Sequence, residues 1–379
     1  MSRFGLLQVL FHVGLLAPAG VLLLRARRAA GADRAEAVRQ ALRALLWFLL
    51  AVLLGAGLGA VVFFPATGFT VLRLLAQALF GELPLLLLAA AVLLLRVTAP
   101  LLAGLAGLGG TLLLGIYIWA YHVEPHRLES PRHTLALGRG PQLSGTLRIV
   151  HLSDIQSAEP GEHERRALRT AAALRPDLVV MTGDYAQPRA GGAPREAVEQ
   201  RLNALLRQQG LQASLGVFAV PGDVDHHWPA PLEGLGFGLL SDEAVRLDLP
   251  GGRSLALVGL SLSTSRGRDP ARLKRLLAAT PPADYRVVFG HRPDFVRRLA
   301  PGSADLALAG HTHGGQVVLP IFGPPITKMS LPRRYAGGLH DYQGLPLHVS
   351  RGVGMERGTA PQLRFLCPPE VCLLEVGYR

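Results

Sequence analysis

The chain has 379 residues, and 39 lysines and arginines against 27 acidic residues leave it a formal charge of +12. In a soluble protein that excess would point to nucleic acid. Here a large part of it is arginine beside apolar segments, which sets topology and attracts anionic lipid, and the rest is scattered without aromatic-basic interleaving, so no nucleic-acid partner is expected. The only cysteines, Cys367 and Cys372, flank Pro368-Pro369; a disulfide between them stays open, buried apolar thiols are the better reading, and no zinc-finger spacing is present.

Residues 1–121 form a transmembrane region, with very few acids and long leucine, alanine and glycine runs. Phe4–Leu24 and Leu45–Phe64 are each long enough to cross about 30 Å of hydrocarbon. Leu101–Tyr121 is another, ending in an interface-like belt of Tyr117, Trp119 and Tyr121. Leu74–Leu95 carries Glu82 and Pro84 and is either a span or a re-entrant segment, so four spans are expected, with three as the alternative. Phe4–Leu24 is not read as a signal peptide, because further apolar spans follow it and no small-residue cleavage site leads into a soluble chain.

Arg25, Arg27, Arg28, Arg34, Arg39 and Arg43 crowd the first connection, whereas Pro65–Thr70 has none. The positive-inside rule puts the first connection in the cytoplasm. Four spans then place the rest of the chain outside the cytoplasmic membrane; three would leave it facing the cytoplasm.

Residues 122–145, rich in proline, glycine and charge, read as a tether. From 146 to 379 apolar strands alternate with helical patterns at Glu162–Leu174, Arg195–Arg207 and Pro270–Ala279, which gives an α/β domain. Five strands end in polar clusters. Leu147–Leu152 leads to Ser153-Asp154-Ile155-Gln156 and Leu178–Met181 to Thr182-Gly183-Asp184. Val217–Val220 leads to Gly222-Asp223-Val224-Asp225, Arg286–Phe289 to Gly290-His291-Arg292, and Leu306–Ala309 to Gly310-His311-Thr312-His313. In α/β folds ligands bind beyond the carboxyl ends of the strands, so the five tips are expected to converge. Within the last, a glycine turn lets two imidazoles one residue apart aim at neighbouring points, as a two-metal centre requires.

In this order the clusters resemble the calcineurin-like metallophosphoesterase family, whose pattern is D-x-H, G-D-x-x-D/N, G-N-H-D/E, a lone His, then G-H-x-H. Gly314–Pro320, Ser350-Arg351-Gly352 and Arg364–Glu370 resemble its membrane-associated bacterial branch. The resemblance covers roughly residues 145–378. It implies a four-layer α/β/β/α sandwich and two divalent metal ions. The first ion would be held by Asp154, Gln156, Asp184 and His313, and the second by Asp184 as a bridge with Asp223, His291 and His311. A hydroxide shared by the pair would attack phosphorus in line.

Three positions depart from the pattern. Gln156 replaces a histidine and tilts the first site toward Mn²⁺ or Mg²⁺ over Zn²⁺, with Mn²⁺ favoured and Fe²⁺ also compatible. Asp223 replaces an asparagine and keeps an oxygen ligand. Val224 replaces the catalytic histidine, whose general acid help is typically worth about 10²–10⁴-fold. Asp225, which in the family orients that histidine, is left without its usual partner. His226, against a reading as a solvated loop residue, is the candidate substitute acid, and Arg292 a candidate phosphate clamp.

The loss of the acid favours leaving groups that depart unaided, so a phosphodiester or pyrophosphate bond is the expected target. The substrate would be a phosphorylated small molecule or lipid at the bilayer, including lipid-linked envelope compounds. The alternative is a metal-binding scaffold or sensor on a membrane anchor. Pro301–Ser303 and Gly323–Arg334 read as surface loops near the site.

Overall fold

The computed structural model describes residues 3–63, 68–97, 99–137, 145–189, 191–357 and 360–378. They divide into two compact units, one of Met1–Val123 with Thr359–Gln362, the other of Glu124–Gly358 with Leu363–Arg379.

The first unit is helical: α1 (Arg3–Ala29), α2 (Arg34–Phe63), α3 (Gly68–Gln77), α4 (Leu83–Arg96) and α5 (Pro100–Ile118). Small side chains let these helices approach closely, as in Ala19 and Ala26 of α1 and Ala37, Ala41 and Ala44 of α2, all buried. Among the described residues, three stretches are long and apolar enough to cross a membrane: Gln8–Ala29, Val71–Arg96 and Pro100–His126. The segment expected at Leu74–Leu95 is thus one unbroken stretch of helix. A π turn over Ala78–Glu82 lies just before Pro84, where the missing N–H would otherwise leave a gap in the helical ladder. The expected second span falls in α2, whose residues 44–63 carry no charged side chain in the sequence; Phe64 and the start of the Pro65–Thr70 connection lie outside the described residues.

The second unit has the order β1 (Arg132–Leu137), β2 (Gly145–Leu152), α6 (Glu162–Ala173), β3 (Leu178–Met181), α7 (Arg195–Gln209), β4 (Val217–Ala219), β5 (Gly238–Leu239), β6 (Glu243–Leu249), β7 (Arg253–Gly259), α8 (Leu262–Ser265), α9 (Pro270–Ala279), β8 (Tyr285–Phe289), β9 (Leu306–Ala309), β10 (Gly338–Tyr342), β11 (Leu345–Val349) and β12 (Cys372–Tyr378). Local chemistry sets the helix ends. Asp269 caps α9 by accepting from the Arg272 amide at 2.8 Å, with Pro270 next, and Gly210 closes α7 in the left-handed region.

The strands form two six-stranded sheets, β1-β12-β2-β3-β4-β5 and β10-β11-β9-β8-β7-β6. Strand alternation then makes the layers. Ile149, Leu178, Val180, Leu257, Val287, Leu308 and Leu374 meet between the sheets. Their neighbours Val150, Val179 and Met181 face α6 and α7, while Val258, Val288 and Ala307 face the outer layer that includes Leu273 of α9. This is the four-layer sandwich.

Two expectations need correction. The segment read as a tether contributes β1, which pairs in parallel with β12 from Arg132↔Leu373 to Leu137↔Tyr378; its residues 138–144 lie outside the described set. Pro301–Ser303 is not near the strand tips. The Ser303 carbonyl accepts from Arg286 at the start of β8, because a loop entering β9 must sit at the opposite end from the one leaving it. Cys367 and Cys372 are free thiols, both buried.

Candidate metal centre

β2, β3 and β4 run parallel to one another, as do β7, β8 and β9 in the second sheet, so the carboxyl ends of both sets point the same way along their own sheets. The polar clusters leave from those ends, and the backbone there is held in a costly shape. Asp154 (φ 48°), Gln156 (φ 37°), Asp184 (φ 59°), His311 (φ 71°) and His313 (φ 51°) are all left-handed, although none is glycine. Such residues cost on the order of 1 kcal/mol or more each and persist where surrounding structure over-determines them. Close approach also needs glycine at the tips: a Cβ on Gly222 would run into Asp184 Oδ1, and one on Gly310 into Asp154 Oδ2.

The structure brings all seven expected ligands into one place. Ligand atoms of Asp154, Asp184 and His291 lie within 4.8 Å of one another, and so do those of Asp223, His291 and His311. His313 Nε2 is 3.5 Å from Asp154 Oδ1, and the Gln156 amide donates to Asp184 Oδ2 at 2.9 Å.

Second contacts fix which nitrogen of each ring is bare. His291 Nδ1 donates to the Thr182 carbonyl at 2.8 Å, so the Nε2 lone pair faces Asp184 Oδ2 at 3.4 Å and Asp223 Oδ2 at 3.9 Å. His311 Nε2 donates to the Lys328 carbonyl at 3.1 Å, which turns Nδ1 toward Asp223 Oδ2 at 2.9 Å. A lone pair facing a carboxylate is repulsive unless a cation lies between them.

Burial sharpens this. It pushes Asp154 up to about 7, only partly offset by His291, and drives Asp184 well above the ordinary range, helped by the charge of Asp225. It also pushes His313 well below its usual value, and His311 down against the pull of Asp223. Asp223 is the exception: burial pushes it up, but the adjoining rings of His311 and His291 and a bond from Arg266 hold it well below the carboxylate range. Without cations the pocket gathers buried acids that resist ionisation and imidazoles that resist protonation.

The three expected catalytic residues part company. Arg292 sits beside the centre, half-buried, with Nη1 3.5 Å from Asp223 Oδ2. Asp225 does not face the centre. Its Oδ2 accepts the amides of Asp184 (2.8 Å) and Gly222 (2.7 Å) and its Oδ1 that of Tyr185 (2.9 Å), so it ties the β3 and β4 tips together. His226 is exposed, and among the described residues its side chain bonds to none of the seven; His227 bonds instead to Glu199 at 3.0 Å. Among the described residues neither ring bonds to an expected ligand; at position 224 the Val224 amide donates to Asp184 Oδ1 at 2.9 Å.

Sequence reading missed three contributors. Arg266 donates to Asp223 Oδ1 at 2.6 Å, and the Lys328 carbonyl, in the loop at Gly323–Arg334, takes bonds from both His311 and Arg292. Arg364, wholly buried, donates to the carbonyls of Arg351, Gly352, Gly354 and Cys367, holding a segment whose Val353 and Gly354 amides bond to the Ser153 and Asp154 carbonyls. Of these only Arg364 carried a signal, as part of a motif.

The chain is similar to several known proteins. The model of the calcineurin-like phosphoesterase family matches residues 147–315. The metallophosphoesterase YkuE of Bacillus subtilis (strain 168) is 29% identical over 68% of this chain and 88% of its own. The phosphodiesterase YaeI of Escherichia coli (strain K12) is 27% identical over 74% and 97% respectively. The UDP-2,3-diacylglucosamine pyrophosphatase LpxG of Chlamydia trachomatis is 25% identical over 69% and 93%.

Proposed function

From a calcineurin-like metallophosphoesterase domain, and hence a phosphoester hydrolase, joined to a membrane-associated helical region, we propose a divalent-metal-dependent enzyme that cleaves a phosphodiester or pyrophosphate bond at the cytoplasmic membrane. One observation carries the metal dependence: the Nε2 of His291, both ring nitrogens of His313 and the Oε1 of Gln156 are buried without a hydrogen bond, among carboxylates. Buried polar atoms are rarely left so, and these are cation ligands. The donor set therefore fits a metal pair. Asp154, Gln156, Asp184 and His313 would hold one ion, and Asp184, Asp223, His291 and His311 the other. Bound there, the ions supply Lewis acidity and lower the pKa of coordinated water. Oxygen donors predominate around the first, which supports Mn²⁺. A half-turn of the Gln156 amide exchanges its nitrogen for oxygen on the Asp184 side.

The chain's own residues do the rest. The Arg292 guanidinium, beside Asp223, would take phosphate oxygens. Val224 offers no proton, so the leaving group must depart as a phosphate or an acidic alcohol. Apolar helices hold the domain where lipid-linked substrates concentrate, and the name of the chlamydial relative supports a lipid pyrophosphate as the substrate class. Four spans with the arginine-rich connection inside would set the domain outside the cytoplasm.

The test uses the full chain in detergent with Mn²⁺ and an aryl phosphodiester. Turnover is expected, and Asp184→Ala should abolish it. Stoichiometric metal with no turnover on any phosphoester would overturn the enzyme in favour of a scaffold; absence of bound metal would overturn both.

A further inference from the structure

A second group of ligand-type side chains lies between the two sheets, apart from the catalytic set. His133 on β1, His348 on β11 and Cys372 at the start of β12 each offer one donor atom within 4.8 Å of the others. His348 and Cys372 are wholly buried, while His133 is half-exposed on an edge strand and leaves an approach from solvent.

Hydrogen bonds from the catalytic side decide what His348 presents. The Ser153 hydroxyl donates to Asp154 Oδ2 (2.5 Å), and the Thr182 hydroxyl donates to Ser153 (2.6 Å). Thr182 therefore accepts from His151 Nε2 (2.9 Å), leaving His151 Nδ1 to accept from His348 Nδ1 (2.8 Å). The remaining nitrogen of His348, Nε2, is a buried lone pair with no hydrogen bond. Its nearest acid, Glu370, stands 3.8 Å away and is committed to Arg351 through its amide and guanidinium. Lone pair and carboxylate face each other across a gap that a cation would fill.

We propose that His133, His348 and Cys372 form a second metal site, selective for a soft or borderline ion of the zinc class. Tetrahedral zinc with bonds of about 2.0–2.3 Å needs donor separations of roughly 3.5 Å, so the side chains draw in by about an ångström, and Glu370 or a water completes the set. Two imidazoles and a thiolate discriminate against Mn²⁺ and Mg²⁺, which suit the oxygen-rich catalytic pair. On binding, the Cys372 S–H loses its proton to solvent and the thiolate binds the ion; without an ion, burial keeps the thiol protonated, and holds His348 down to about 4, neutral and ready to ligate. An ion on Nε2 also locks the His348 tautomer, and with it the hydrogen-bonded chain that ends on Asp154. Cys372 and His348 are thereby positioning residues for the catalytic centre.

The experiment is a Co²⁺ titration of chelator-stripped full-length protein in detergent, read by absorbance. A thiolate-to-cobalt charge-transfer band is expected, with the intensity of one cobalt–thiolate bond once the protein is saturated, and bleached by Zn²⁺. It should survive Asp184→Ala, and also Cys367→Ser, the control for the thiol that donates to the His313 carbonyl at 3.3 Å. It should vanish in Cys372→Ser, an isosteric change, and in His348→Phe. The wild-type spectrum alone is decisive: no band overturns the site, as does a band that survives Cys372→Ser.

Discussion

Replacing Asp154 by asparagine should make the metal-free protein more stable and the metal-loaded protein less so. The carboxyl of Asp154 is wholly buried, and its pKa stands at about 7 against an ordinary 3.8. A folded-state value raised by roughly 3 pH units, at about 1.4 kcal/mol each, puts the cost of holding it ionised near 4 kcal/mol as an upper figure. The sign follows from where the proton sits. Below pH 3.8 the acid is neutral in both states and the cost is absent; it grows between 3.8 and about 7 and is complete above.

The carboxamide introduced by Asp154→Asn keeps the contacts at Oδ2 and loses the one from the His311 amide to Oδ1 at 3.1 Å. Its oxygen can accept from Ser153 and the His311 amide, and its nitrogen would face His313 Nε2, which has no hydrogen bond. At pH 8 with chelator, Asp154→Asn should therefore gain about 1–4 kcal/mol, and near pH 4 nothing. With Mn²⁺ at 100 times its dissociation constant the parent gains about 2.7 kcal/mol that the variant forgoes. Urea unfolding followed by Trp228, which stacks on Tyr185 at 5.9 Å, measures both. A metal-free variant weaker than its parent at pH 8, or a difference that does not change with pH, would refute the reasoning.

Two further changes test the departures at the strand tips. Val224→His should raise kcat/KM for an alkyl phosphomonoester by tenfold or more while leaving an aryl ester nearly unchanged, within the about 10²–10⁴-fold range of general acid help; equal effects on both substrates would mean that the new ring does not protonate the leaving oxygen. Gln156→His adds an imidazole to the first set and should move the preferred ion from Mn²⁺ toward Zn²⁺ in a metal-dependence profile, whereas an unchanged preference would show that position 156 is no ligand.

The strand tips were legible because each is a short apolar run stopped by glycine and acid or imidazole, a pattern that burial and turn chemistry both demand. α9 was legible to the residue, since Asp269-Pro270 fixes its start. What escaped depended on partners distant in sequence. β1 lies in a stretch of proline, glycine and charge, and becomes a strand only because β12, more than 200 residues later, offers it an edge. Asp225 has the right type and neighbourhood for catalysis, but residue identity does not say that three amides claim its oxygens. Arg266 and the Lys328 carbonyl belong to loops with no periodic signal. Nor could spacing reveal that five of the seven expected ligands sit in left-handed backbone, a strain that only convergence from two sheets imposes.

The position of β12 has a consequence for folding. It lies between β1 and β2 rather than at an edge, and Arg364, just upstream, pins the segment that supports Asp154. Its register with β2, as in Cys372↔His151, joins residues more than 200 apart, so a long loop must close before the first sheet has its inner member. Deleting β12 would leave every ligand proposed for the catalytic pair present and no frame to gather them.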